Sequence, residues 1–66
     1  MFSNKLKELR EANELSKVAL ASELGVGSQS IYDWEMGKHE PKFAILIKIA
    51  DFFDVSLDEL LGRKEI

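Results

Sequence analysis

The sequence predicts an all-α fold, a compact bundle of about five short helices forming one domain over residues 1–66. Three observations lead there. Apolar residues recur at helical spacing, and β-branched runs with period-two alternation are absent. Asn13, Gly25, Gly27, Gly37, Pro41, Asp54 and Gly62 divide the chain into about five pieces. With 45% hydrophobic residues in 66, the chain suits one small core and is too apolar for disorder. It has no cysteine and one histidine, His39, so neither disulfides nor a zinc site can supplement that core. Packing of local helical contacts must hold it together.

The first helix, near Ser3 to Ala12, carries Phe2, Leu6 and Leu9 at helical spacing, and Asn13 is the expected left-handed cap at its end. Ser16 is an N-cap for the second, with Leu15 and Leu20 spaced as a hydrophobic staple. Leu20, Ala21 and Leu24 share one face of that helix, and Gly25 ends it. The third helix runs from about Ser28 to Glu35 and stops at Gly37, with Gly27 or Ser28 as its cap. Its wheel separates Ile31 and Trp34, which can pack, from a polar arc of Ser28, Gln29, Tyr32 and Asp33. Pro41 precedes a nearly all-apolar fourth helix, Phe43 to about Phe53. Ser56 and Glu59 have the spacing of a capping box, with Val55 and Leu60 as its staple, and open a fifth.

The fourth helix has more apolar surface than one core can cover. Phe43, Leu46, Ile47, Ala50 and Phe53 form the expected core arc. Ile45, Ile49 and Phe52 widen the apolar sector to about 220° and are expected to form a dimer or partner surface.

Charge neither demands nor excludes a nucleic-acid partner. The net charge is −3, divided as six basic against seven acidic residues over 1–42 and three against five over 43–66. What matters for DNA is the field on one face rather than the sum. Arg63 and Lys64 beside Glu65 are too few to make a basic tail. No apolar run approaches the ~20 residues that span a bilayer, and the N-terminus lacks a signal pattern, so the expected location is cytoplasmic, without membrane association. There is no phosphate-binding loop, no nucleophile with a plausible base and no clustered carboxylates in a predicted cleft. An enzyme is not expected, nor is a cofactor or metal.

Two short helices joined by a glycine turn, the second showing a polar face, form a helix-turn-helix candidate at about 16–36. The stretch Leu15-Ser16-Lys17-Val18-Ala19-Leu20-Ala21-Ser22-Glu23-Leu24-Gly25-Val26 resembles the opening of a Cro/cI-type (XRE family) helix-turn-helix. Its continuation, Ile31-Tyr32-Asp33-Trp34-Glu35-Met36-Gly37-Lys38-His39-Glu40-Pro41, resembles that family's recognition helix and the turn after it. Val55-Ser56-Leu57-Asp58-Glu59-Leu60-Leu61 is similar to its final helix, so the resemblance runs from about Phe2 to Leu61 without a gap.

That resemblance implies a lambda-repressor-like domain, a small bacterial or phage repressor-type regulator that binds double-stranded DNA at a palindromic operator as a homodimer. Ser28, Gln29, Tyr32 and Asp33 would face base edges, while Lys17, Lys38, Ser30 and Lys42 would hold phosphates. Arg10 and Glu35 would form a partly buried ion pair between the first and third helices. Lys17 stands where glutamine is usual, Gly27 where Ser or Thr caps the recognition helix, and Asp33 where a basic or amide residue is frequent. Trp34 belongs to the core by its wheel position, and His39 reads as an ordinary loop residue. The alternative function is a protein-binding module, antirepressor or antitoxin-like, that uses the apolar fourth-helix surface and a regulatory protein partner.

Overall fold

Four of the helix ends are closed by one device, a residue in the left-handed region followed by an apolar or amphipathic side chain. A computed structural model describes residues 2–62. The helices among them are α1 Phe2–Ala12, α2 Lys17–Leu24, α3 Ser28–Glu35, α4 Phe43–Phe53 and α5 Leu57–Leu61, with no strand among the described residues. The closing residues are Glu14 (φ 56°), Gly25 (φ 72°), Gly37 (φ 76°) and Asp54 (φ 57°). In each case the next residue returns its N–H to a carbonyl five back: Leu15 to Arg10, Val26 to Ala21, Lys38 to Asp33 and Val55 to Ala50. These are Schellman closures. The expected left-handed cap at Asn13 falls instead on Glu14, while the Asn13 amide donates to the Leu9 carbonyl at 2.8 Å.

Helix starts follow their caps. Ser16 Oγ accepts from the Ala19 N–H and Ser56 Oγ from the Glu59 N–H, both at 3.0 Å. The second half of the Ser56–Glu59 box is diverted, because the Glu59 carboxylate meets Lys5 Nζ at 3.6 Å and ties α5 to α1. Gly27 and Lys42 start α3 and α4 in extended conformation without a side-chain cap.

The core is Phe2 and Leu6 of α1, Leu20, Ala21 and Leu24 of α2, Ile31 and Trp34 of α3, Ile49 and Ala50 of α4, and Leu60 of α5. Helix α3 packs on α1 and α2, while α4 lies between α2 and α5.

The rotation of α4 differs from the expected one. Ile49 is fully buried, and Ile45, Leu46 and Phe53 pack against the core half-buried, while Phe43 is 65% exposed and Ile47 39%. Ile49 is therefore a core residue and not part of a partner surface, and Ile45 leans the same way. A helix apolar over so wide a sector has several rotations of similar burial. The neighbours choose among them: Ala50 is small enough for close approach, and Lys48 Nζ reaches across to the Leu24 carbonyl at the end of α2, 3.0 Å away. Together these turn α4 by roughly 70° from the expected setting. Arg63, Lys64 and Glu65 lie outside the described residues. Among the described residues no helix is long and apolar enough to cross a membrane, and no group of His, Asp or Glu could hold a metal ion.

Candidate nucleic-acid interface

The turn between α2 and α3 needs a left-handed residue, and Gly25 supplies it without the steric cost a Cβ would bring. Gly27 then runs extended into α3. Ile31 and Trp34, 0% and 7% exposed, sink one side of α3 into the bundle. The opposite side is left to solvent.

That solvent face carries Ser28, Gln29 and Tyr32, all exposed, with Asp33 half-buried at its edge. Gln29 Nε2 donates to Asp33 Oδ1 at 3.0 Å, one helical turn on. Lys38, beyond the Gly37 turn, places Nζ 5.5 Å from the Tyr32 ring centroid, within cation–π range. The face thus carries two coupled pairs, Gln29 with Asp33 and Tyr32 with Lys38, beside Ser28. Spacing of four residues between Gln29 and Asp33 is a signal the sequence already carries.

The other residues expected at phosphates lie on three elements. Lys17 is the first residue of α2 and half-buried, Ser30 is half-buried in the first turn of α3, and Lys42 is exposed as the N-cap of α4. Neither Lys17 nor Lys42 is in an ion pair among the described residues. His39 is exposed in the loop after α3.

Arg10 and Glu35 fix how α3 sits. Arg10 Nε donates to Glu35 Oε2 at 2.6 Å and Nη2 to Oε1 at 3.1 Å, a two-pronged pairing of guanidinium and carboxylate. Its Nη1 donates to the Leu15 carbonyl at 2.8 Å, so one side chain joins α1, the α1–α2 turn and α3. The hydrogen bond to Glu35 pushes the Arg10 guanidinium above even its ordinary high value, against the opposing pull of burial.

The three residues expected to share a partner surface are not brought together: Ile49 is core, Ile45 is half-buried on it, and Phe52 is 40% exposed. Phe43 and Ile47, expected in the core arc of α4, are exposed instead; Val18 on α2 and Met36 after α3 are also exposed.

A helix-turn-helix family model matches residues 6–60. The HTH-type transcriptional activator BcrR of Enterococcus faecalis is 40% identical over 65 residues, which are 98% of this chain and 32% of that protein. The cryptic phage CTXphi transcriptional repressor RstR of Vibrio cholerae is 34% identical over 65 residues, 98% of this chain and 59% of that one. The chain thus spans less than two thirds of the length of either relative. A transcriptional regulator from Listeria innocua has the same fold, with a TM-score of 0.93 at 27% identity over all of this chain and 62% of that chain.

Proposed function

This chain belongs to the Cro/cI-type helix-turn-helix family, and from that premise we propose that it is a sequence-specific DNA-binding transcription regulator. The observation that carries the reading is the solvent face of α3, with Ser28, Gln29, Tyr32 and Asp33 outward while Ile31 and Trp34 hold the helix rigidly from behind. An α-helix with its side chains is about 10–12 Å across, and the major groove is about 12 Å wide. Amide, hydroxyl and carboxylate groups are the types that read base edges there. Lys17, Ser30, Lys38 and Lys42 are the groups that hold phosphates in this reading, which positions the helix without reading sequence. The net charge of −3 keeps non-specific attraction low, so base contacts carry a larger share of selectivity.

The regulator acts in the cytoplasm as a homodimer on a palindromic operator, its two α3 helices about 34–36 Å apart. Phe52, exposed near the end of α4, supports the self-association. Relatives named as a transcriptional activator and a phage repressor support the regulatory reading. The other apolar flank of α4, Phe43 and Ile47, supports a second reading, a protein-binding module of antirepressor or antitoxin-like kind.

Fluorescence anisotropy with duplex tiles from the DNA upstream of the protein's own gene, against scrambled duplexes at fixed salt, tests the first reading. One tile should bind about 1,000-fold or more tighter than the scrambled controls. Equal or undetectable binding across all tiles would sink it and leave the protein-binding module.

A further inference from the structure

Resting on the reading of α3 as the base-reading helix, we propose that Asp33 is a positioning residue: it fixes which way Gln29 presents its amide rather than reading a base itself. A free glutamine side chain turns about three torsions, and its terminal amide can face a base edge in either order, N or O first. The Asp33 carboxylate removes that choice. An ionised carboxylate only accepts, so the amide must turn its NH2 toward Asp33, as it does at 3.0 Å. The half-burial of Asp33 beside the exposed Gln29 makes it the less mobile partner, on which the longer chain is held.

What remains on Gln29 decides the base. One Nε2 hydrogen is taken by Asp33, leaving the second hydrogen and the lone pairs of Oε1. That is one donor beside one acceptor, the complement of adenine N7 and N6 in the major groove. Because Nε2 lies on the Asp33 side, donor and acceptor come in a set order along α3, so adenine is accepted in one strand orientation. Guanine offers two acceptors, N7 and O6, and would set O6 against Oε1.

Asp33 also carries a negative charge toward a polyanion, which lowers affinity for every sequence alike. The two roles pull in opposite directions. Asp33→Ala should raise affinity for unrelated DNA and at the same time lower discrimination at the base pair Gln29 contacts. A residue that merely supports the helix would not separate the two.

The test is a panel of single-base-pair variants of the preferred site, titrated with wild type, Gln29→Ala, Asp33→Ala, Asp33→Asn and the Gln29→Ala/Asp33→Ala double variant. A bidentate glutamine–adenine pair supplies about 5- to 150-fold discrimination. Asp33→Ala should remove roughly 5- to 10-fold of it at the Gln29 base pair, and Asp33→Asn, whose amide donates as well as accepts and so no longer sets the order, should lose discrimination too. In the Gln29→Ala background, Asp33→Ala should leave base preference unchanged. In the free protein, the Gln29 side-chain amide signals in a ¹⁵N NMR spectrum should move in Asp33→Ala. Unchanged discrimination in Asp33→Ala, or an altered preference that persists without Gln29, would overturn the proposal while leaving DNA binding intact. A wild type that shows no site preference would overturn the underlying reading, and the proposal with it.

Discussion

Arg10 of α1 and Glu35 of α3 face each other with side chains only 9% and 3% exposed, so the pair that orients the candidate recognition helix is almost wholly out of water. Two long side chains are held there by three hydrogen bonds, one of them to the Leu15 backbone. The pairing offsets a desolvation cost that neither charge could meet alone.

Glu35→Ala should therefore destabilise the domain by about 3–5 kcal/mol, because it leaves a buried guanidinium with only the Leu15 carbonyl and a longer, 3.9 Å contact to the exposed Glu11 carboxylate. A well-packed apolar replacement of both, Arg10→Met with Glu35→Leu, should recover most of that stability. Urea denaturation of the single and double variants gives the comparison. A cost near that of an exposed pair, below about 1 kcal/mol, would show that the pair does not anchor α3.

Glu14→Gly should make the protein more stable. Glu14 sits at φ 56°, where a side chain with a Cβ costs about 1–2 kcal/mol and glycine does not. The greater freedom of glycine in the unfolded chain takes back part of the gain. A net gain of about 0.5–1 kcal/mol corresponds to roughly 2–8 °C in Tm for a domain of this size. An unchanged or lower Tm would mean that Glu14 makes a compensating contact.

Why Asn13 looks like the cap and Glu14 is the cap shows where sequence reasoning reaches its limit. Asparagine tolerates the left-handed region better than glutamate, so local preference points to Asn13. The Leu15 N–H, however, bonds the Arg10 carbonyl, which sets the left-handed turn one residue later. Ser16, Gly25 and Ser56 were legible because their effect is local: a hydroxyl three residues before an N–H, or a missing Cβ at a turn. The two faces of α3 were legible for the same kind of reason, since only Ile31 and Trp34 could pack. The rotation of α4 was not, because almost any setting buries apolar groups, and packing against α2 and α5 decides. The site was legible as a set of outward residues, whereas its coupling into Gln29–Asp33 and Tyr32–Lys38 depends on rotamers that the wheel does not contain.

Lys17→Ala and Lys38→Ala should each flatten the salt dependence of DNA binding. Removing one lysine–phosphate pairing reduces the slope of log K against log salt by about 0.9, or about 1.8 for the two subunits of a dimer. Lys17→Ala should weaken all sequences alike. Lys38→Ala also releases the Tyr32 ring beneath its ammonium, so it should weaken binding to the preferred site more than binding to unrelated DNA. Titrations at several salt concentrations separate these outcomes, and an unchanged slope would take that lysine off the backbone.

Phe52→Glu should weaken self-association while leaving the fold in place. On α4 the exposed apolar residues lie on two flanks, Phe43 and Ile47 on one and Phe52 on the other, with Ala44, Lys48 and Asp51 exposed between them. Phe52 is 40% exposed, and its ring meets that of Phe53 in a T-shaped contact, centroids 5.0 Å apart, worth about 0.5–1.5 kcal/mol. A charge there costs the monomer that contact but keeps a route to water, whereas it would be buried without a partner in a dimer formed through that flank. Sedimentation should show at least roughly tenfold weaker dimerisation, with operator affinity falling in step, and Ile47→Glu should associate as wild type does. Ile49→Glu is the opposite case: at 0% exposure its charge has no route to water, and circular dichroism should show the fold lost. Wild-type association in Phe52→Glu, together with weakened association in Ile47→Glu, would move the interface to the other flank, where Phe43 would meet its counterpart.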